Sequence, residues 1–170
     1  MGEKRDLFLG VDPGTKGSIG AVDSEGRYVD AIRFSQRTWA DVFQWLEDLG
    51  ARPAHAMIER VGAMPKQGVA STFTFGRAAG IIEGLIIASR IPYSFVAPAV
   101  WQRRMGCLSK GDKRVTKARA EALWPVARRR TLETAHGCLT PKYGMSMEEA
   151  DGCLIAEYGR IVFAASRNET

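Results

Sequence analysis

Four acidic residues stand at positions where a carboxylate can do chemistry. Asp12 and Glu59 each end a short apolar run that predicts a strand, and Glu148 and Asp151 open a predicted helix. Four carboxylates without an accompanying cluster of His or Cys form the ligand set of a hard cation, so magnesium or manganese is favoured over zinc. Hydrolysis of a phosphodiester by two such ions needs this arrangement. The residues therefore predict a metal-dependent site for phosphate chemistry.

The acidic side chains of the final predicted helix point in different directions around the helix axis. At about 100° per residue, Asp151 lies at the centre of the apolar stripe, Glu148 lies on its shoulder and Glu149 faces the opposite way. The stripe consists of Leu154, Ile155, Tyr158 and Val162. The helix dipole alone favours acids at an N-terminus. An aspartate within an apolar stripe is nevertheless costly to bury without a partner, and a divalent cation would be one.

Positive charge is concentrated in one part of the chain. The net charge is +5, and residues 101–130 contain ten basic and two acidic residues. This asymmetry predicts a surface that binds a polyanion, and a solvated charged face is the alternative. The predicted phosphate contacts are Lys110, Lys113, Arg114 and Lys117 on or just before one helix, Arg128, Arg129 and Arg130 further on, and Arg60 and Lys66 beside Glu59.

The elements that must position these residues follow from periodicity and turn signals. Strands are predicted at residues 7–11, 18–22, 28–34, 54–59 and 93–96, and helices at 39–49, 69–88, 110–124 and from 147 to about 165, the last capped by Ser146. Residues 99–105 form a short helical turn and residues 126–143 are interpreted as irregular. This order predicts an α/β fold in one domain, 1–170, with a mixed five-stranded sheet of three antiparallel and then two parallel strands, flanked by helices on both faces.

Placement of the site depends on the sheet order. If the first and fourth strands are neighbours, their carboxyl ends bring Asp12 and Glu59 together. The long helix at residues 69–88 is rich in small residues, which predicts close packing against the sheet and also a candidate dimer interface. Trp101 and Trp124 are interpreted as core residues.

Composition narrows the class of protein. No apolar run is long enough to span a membrane, and the charged residues 1–6 lack a signal-peptide pattern. The three cysteines, Cys107, Cys138 and Cys153, are an odd and scattered set, which argues against a disulfide framework. We therefore expect a protein without membrane association, in the cytoplasm of a bacterial cell or of a phage-infected host.

At this point the chain resembles a known family. Residues 9–14 (LGVDPG) resemble the opening motif of RuvC-type Holliday junction resolvases, which belong to the RNase H-like (retroviral integrase) superfamily. Residues 57–59 (MIE) resemble the second motif, residues 76–80 (GRAAG) the small-residue helix after it, and residues 148–156 (EEADGCLIA) the closing motif. The motifs occur in the expected order over nearly the whole chain.

The resemblance implies an RNase H-like fold and a homodimer with two active sites. It implies paired symmetric nicks in a four-way DNA junction, with two Mg²⁺ or Mn²⁺ ions per site, and a branch-migration motor as a further partner. The catalytic and metal-binding positions map onto Asp12, Glu59, Glu148 and Asp151. The chain departs from the bacterial pattern at Glu148, usually Asp, and after Glu59, where an aromatic wedge is missing and Met64 or Phe73 are the candidates. These departures favour a phage-type or otherwise divergent member.

Three other functions are compatible with parts of the pattern. An RNase H-like nuclease could act on other branched DNA, such as flaps or forks. A non-cleaving junction-binding protein would keep the fold, but it predicts a missing acid and all four are present. An actin-like or Hsp70-like phosphotransferase also has Asp-x-Gly after its first strand, as residues 12–17 do, yet it needs two such domains and a second phosphate loop.

Overall fold

A computed structural model of the chain describes residues 6–35, 37–62, 68–109, 111–125, 129–133, 139–143 and 145–167, with the backbone alone at 129–133 and 139–143. The strands are β1 Leu7–Asp12, β2 Ser18–Asp23, β3 Tyr28–Arg33, β4 His55–Glu59, β5 Tyr93–Val96, β6 Arg129–Glu133 and β7 Leu139–Tyr143. The helices are α1 Trp39–Glu47, α2 Val69–Ala88, α3 Pro98–Arg104, α4 Lys113–Leu123 and α5 Met147–Arg167.

The five-stranded sheet has the order β3-β2-β1-β4-β5. Pairing is antiparallel between β1 and β2 and between β2 and β3, and parallel between β1 and β4 and between β4 and β5. The predicted mixed sheet is therefore confirmed. In the parallel register Val11 lies beside Ile58, so the next residues, Asp12 and Glu59, leave the sheet side by side.

Alternation along the strands divides the core between the two faces of the sheet. Phe8 and Met57 pack with residues of α5 such as Leu154, in one cluster of buried side chains. Leu9 and Ile58 point to the other face, where the second cluster contains residues of α1 and α2. Helices cover both faces, as the sequence predicts, and Asp12 and Glu59 fall on the α5 face because they continue the alternation of Phe8 and Met57.

Helix α5 lies directly on the sheet because glycines remove the side chains between them. A Cβ atom on Gly10 would stand 2.0 Å from the backbone nitrogen of Ala156, and one on Gly20 would stand 2.4 Å from that of Cys153. From the helix side, a Cβ on Gly152 would stand 2.6 Å from Ser18 Oγ. This contact fixes the N-terminal turns of α5 over the end of β1.

Helix α2 packs less closely than predicted. Its buried residues are Ala78, Ile82 and Ile86. Cβ atoms built on Gly76, Gly80 and Gly84 would meet nothing within 4 Å, so these glycines face open space instead of the sheet. Among the described helices, α2 included, none is long and apolar enough to cross a membrane.

One predicted helix start and one segment predicted to be irregular are wrong. Helix α4 begins at Lys113 and not at residue 110, because the Asp112 side chain caps it by accepting from the Arg114 N–H at 3.0 Å, after Gly111 with a φ of 91°. The segment interpreted as irregular contains β6 and β7, which pair antiparallel as a separate two-stranded sheet. The sequence of β6, RRTLE, does not alternate apolar and polar residues, and β7 contains Pro141, which argues against a strand, so the usual strand signals are weak.

Candidate active site

The four predicted acids are brought to one edge of the sheet. Asp12 and Glu59 end β1 and β4, and Glu148 and Asp151 lie in the first turns of α5, which packs on the same face. Asp12 Oδ1 accepts from the Gly14 N–H at 3.2 Å within the turn that follows β1. Asp151 is buried, with 7% of its surface exposed, as its place on the apolar stripe predicts. Their role as catalytic metal ligands stays a prediction.

Glu59 shows most directly that the site concentrates negative charge out of water. The pKa of Glu59 is raised from 4.5 to about 7, first of all by burial and also by the carboxylates of Asp12 and Asp151, while a hydrogen bond from Trp101 opposes the rise. Neighbouring carboxylates that are shielded from water make each other's ionised forms less favourable. A bound cation would remove this repulsion.

Lys113 supplies positive charge at the point where the acids meet. Its Nζ lies 3.0 Å from Asp151 Oδ2. Burial raises the pKa of Asp151, and Lys113 counteracts part of that effect. Burial tends to lower the pKa of Lys113, but Asp151, Asp12 and Glu148 outweigh it, so the pKa is raised and the ammonium form is favoured.

A capping box fixes the start of α5. The Ser146 N–H donates to Glu149 Oε2 at 2.8 Å and the Glu149 N–H donates to Ser146 Oγ at 3.1 Å. Ser18 Oγ, on β2, donates to the Glu148 carbonyl at 2.5 Å. Glu149 turns away from the site, as the helix angle predicts. Its burial and its 3.8 Å approach to Arg33 Nε were not predicted.

Burial alone does not set the charge of Glu148. Burial tends to raise its pKa, but hydrogen bonds from its own N–H and from Ser146, with Lys113 and Arg33 nearby, lower it overall. Glu148 thus favours its ionised form at the mouth of the site, whereas Glu59 and Asp151 resist ionisation deeper inside.

The residue types at this edge fit Mg²⁺ or Mn²⁺. Four carboxylates and no imidazole or thiolate form an oxygen-only donor set, which hard cations prefer. Within the described ranges, no three Asp, Glu, His or Cys side chains stand close enough together to enclose an ion as they are. Binding would therefore require the carboxylates to converge and Asp151 to exchange Lys113 for the metal.

The predicted phosphate contacts are distributed unevenly. Lys113 faces the acids, Arg114 is bonded to Asp112 at 2.8 Å, and Lys117 lies 3.9 Å from Glu121. The exposed Arg60 places its guanidinium 5.7 Å from the centre of the Phe95 ring. The predicted contacts Lys66, Lys110 and Arg128 and the wedge candidate Met64 lie outside the described residues, and Arg129 and Arg130 are described as backbone of β6 only.

Phe73, the other wedge candidate, lies near the start of α2. Within the described part of the chain, Phe73 leaves 73% of its surface exposed, which is unusual for a phenylalanine. It is thus available for contact with another molecule.

Sequence reasoning missed a direct contact to the site. Trp101 is a core residue, as predicted, with 1% of its surface exposed, but its Nε1–H also donates to Glu59 Oε1 at 2.7 Å. Trp124 is buried too, and its Nε1–H donates to the Gly26 carbonyl at 2.9 Å. The sequence offered only a general indication of these contacts, because the N–H group of a buried tryptophan needs a hydrogen-bond acceptor.

Comparison with known proteins supports the architecture. No family model and no curated protein sequence matches the chain. Among solved structures, Thermus thermophilus RuvC aligns with a TM-score of 0.62 and 17% identity, over 95% of this chain and 96% of that one. The chain has a RuvC-like fold. A second structure, T. thermophilus RuvC in complex with Holliday junction substrate, aligns with a TM-score of 0.60 and 16% identity over the same shares of the two chains.

The RuvC-like fold extends over almost the full length of both proteins. At identities of 16–17% the likeness establishes the fold alone.

Proposed function

We propose that the protein is a structure-specific endodeoxyribonuclease that resolves four-way DNA junctions by paired symmetric nicks. The observation that carries the proposal is the meeting of Asp12, Glu59, Glu148 and Asp151 at one edge of a RuvC-like sheet, with Lys113 among them. Acids alone would repel a phosphate, so a cation beside them is what a DNA-cutting site requires.

The chemistry would be metal-dependent hydrolysis. The four carboxylates would hold two Mg²⁺ or Mn²⁺ ions, which supply an activated water and stabilisation of the leaving oxygen when bound. The chain's own residues prepare this site in three ways. The contact of α5 with β1 holds Asp151 near Asp12, partial burial reduces the hydration of Glu59, and Lys113, now 3.0 Å from Asp151, would turn to a phosphate oxygen once a metal takes its place.

The junction as substrate is supported by two considerations. One neighbour of the same fold is described in complex with a Holliday junction. In this chain Phe73 presents an exposed aromatic ring, as a residue that stacks on bases at a crossover would. Phe73 is therefore our candidate for the wedge.

Paired cuts require two active sites, and α2 offers a surface for a second copy. The exposed Val69 and Phe73, in the first two turns of α2, are left for contact with DNA. Beyond them, at about 100° per residue, four exposed residues of α2 fall within about 80° of one another: Gly76, Gly80, Gly84 and Ile87. We call this set the α2 face. Glycines on such a face let a second helix approach closely, and we propose that two copies of the chain meet there.

The dimer can be tested with matched arginine substitutions on α2. Gly80→Arg places a long charged side chain on the α2 face, whereas Thr74→Arg places it about 120° away at another exposed position. We expect sedimentation velocity to show a monomer for Gly80→Arg and a dimer for wild type and for Thr74→Arg. A wild-type monomer at micromolar concentration would contradict the dimer.

The activity can be tested with a panel of synthetic DNAs. A four-way junction, a linear duplex, a flap and a fork are each incubated with Mg²⁺, Mn²⁺ or chelator, and both strands are mapped at nucleotide resolution. Symmetric nicks in the junction alone support the proposal. Equal cleavage of flaps or forks would support the alternative nuclease, and junction binding without any cleavage would support the non-cleaving protein.

A single substitution tests whether Asp151 belongs to the site. Asp151→Asn removes one carboxylate charge but keeps the size of the side chain, so we expect cleavage to fall by more than about 1,000-fold while junction binding in a gel-shift assay is preserved. Glu47→Gln, an exposed position on α1, serves as the matched control. Full cleavage by Asp151→Asn would remove Asp151 from the site.

A further inference from the structure

We propose that Trp101 is a positioning residue for the metal site, whose indole N–H holds the Glu59 carboxylate in the orientation that binds a divalent cation. The inference rests on the proposed function, because it assigns a role at the same site. Judged by its packing alone, Trp101 would be an ordinary tryptophan of the hydrophobic core.

The contact is short and specific. Trp101 Nε1 lies 2.7 Å from Glu59 Oε1, and the bond joins α3 to the end of β4 across 42 positions of the chain. An indole nitrogen can only donate a hydrogen bond, so Trp101 is the donor and Glu59 is the acceptor. It uses one lone pair of Oε1 and leaves Oε2 for another ligand.

The other acids of the site are held differently. Asp12 accepts from a backbone N–H in its own turn, and Asp151 pairs with the flexible side chain of Lys113. Glu59 is instead held by a rigid aromatic ring that is itself buried in the core. A ring fixed by packing can fix a carboxylate more narrowly than a lysine can, since few rotamers remain open to it.

Packing by itself does not require this arrangement. The ring of Trp101 fills the core between the sheet and α5 whether or not its nitrogen carries a hydrogen. The hydrogen-bonded partner is Glu59, the acid at the end of β4, whose pKa is raised by the neighbouring Asp12 and Asp151. Residues that orient a metal ligand typically contribute about 10- to 100-fold to metal affinity, and we expect an effect of that size here.

The test removes the N–H and keeps the shape of the ring. Trp101 is replaced by 3-benzothienylalanine, in which sulfur stands in place of the N–H, and Mn²⁺ binding to the full chain without DNA is measured by isothermal titration calorimetry. We expect the Kd for Mn²⁺ to rise by about 10- to 100-fold. The thermal midpoint of the metal-free protein is recorded as well, to show that the variant is folded.

Trp124 provides the matched control. It is also a buried tryptophan, 6% exposed, whose N–H donates to a carbonyl of the turn after β2. The same replacement at Trp124 removes one buried indole hydrogen bond without touching the acids. Its Kd for Mn²⁺ should stay within about twofold of wild type, and a loss as large as that at Trp101 would overturn the proposal.

A second experiment asks whether Trp101 acts through Glu59. In a Glu59→Gln background the carboxylate is already gone, so the replacement at Trp101 should change the Kd for Mn²⁺ by less than about twofold, whereas independent effects would add. Without metal, the ¹⁵N-labelled indole resonance of Trp101 should move upfield in Glu59→Gln, because a neutral amide accepts a weaker hydrogen bond than a carboxylate.

The outcomes separate this proposal from the function on which it rests. Unchanged Mn²⁺ affinity after replacement of Trp101, in a wild type that binds Mn²⁺ and cuts junctions, would overturn the positioning role alone. A wild type that neither binds Mn²⁺ nor cuts any DNA would overturn both.

Discussion

The two long helices of this protein use glycine in opposite ways. On the α5 side, Gly10 and Gly20 lie where a Cβ would collide with the helix backbone, and residues 149–157 are all buried. On the α2 side, Gly76, Gly80 and Gly84 face open space. The same residue type therefore marks a completed contact within the chain on one side and an uncovered surface on the other. The four acids of the candidate site belong to the completed side.

The largest effect is expected from a substitution that disrupts the contact between α5 and the sheet. Gly10→Ala would place a Cβ 2.0 Å from the nitrogen of Ala156 and 2.2 Å from the carbonyl oxygen of Gly152, both backbone atoms that cannot turn aside. We expect a loss of more than about 3 kcal/mol in the free energy of unfolding, or failure to fold. Urea denaturation followed by circular dichroism measures it, and a stable Gly10→Ala protein would refute the close contact.

A second prediction concerns the electrostatic strain on the α5 side. The pKa of Glu59 is raised from 4.5 to about 7 in the folded protein, so its ionised form opposes folding. The penalty is absent below pH 4.5, grows between pH 4.5 and 7 and is complete above. Glu59→Gln should therefore stabilise the metal-free protein by up to about 3 kcal/mol at pH 8 and by little at pH 4.5.

Urea denaturation in EDTA at the two pH values tests this difference. The exposed Glu47, replaced in the same way, is the control. An equal gain for Glu59→Gln at pH 4.5 and pH 8 would show that the stabilisation does not come from the charge of Glu59.

A third prediction addresses Lys113, which faces the acids. Lys113→Ala should weaken junction binding and reduce the slope of log K against log salt by about 0.9, the value for one phosphate contact. Arg27→Ala is the control, because Arg27 pairs with Asp23 at the opposite end of the sheet. Fluorescence anisotropy over a salt series gives both slopes, and identical slopes for Lys113→Ala and wild type would exclude a phosphate contact.

The smallest expected effect is on the α2 side and has the opposite sign. Gly80→Ala adds a methyl group into open space in the interior of a helix, so it should stabilise a monomer by about 0.5–1 kcal/mol. The measurement is made at a protein concentration below the dimer dissociation constant. Destabilisation there would show that the α2 face is covered by another part of the same chain.

Much of the site could be predicted because it depends on local periodicity. Strand alternation places Asp12 and Glu59 on one face, and helix angle places Asp151 on the buried stripe, and both patterns are short-range properties of the chain. The bond between Trp101 and Glu59 could not be predicted, since it joins residues 42 positions apart through a packing arrangement that no single segment encodes.

The errors have equally physical causes. A helix rich in glycine and apolar residues is compatible both with close packing and with an open face, and only the tertiary structure distinguishes α2 from α5. Glu149 lies on the side of α5 away from Asp151, as its angle predicts, but Ser146 and Arg33 bury it there. A direction around a helix gives no information about what lies in that direction.

The contact between α5 and the first two strands also determines when the site can exist during folding. Ser18 and Glu148 meet across 130 positions of the chain, a non-local contact that is slow to form because a long loop must close first. Until that happens, Asp12 and Asp151 are separate carboxylates on an incomplete structure. A nascent chain or a fragment that lacks α5 therefore lacks the candidate site, and under the proposed function an engineered break in the chain between β5 and α5 would make assembly of the two pieces a switch for activity.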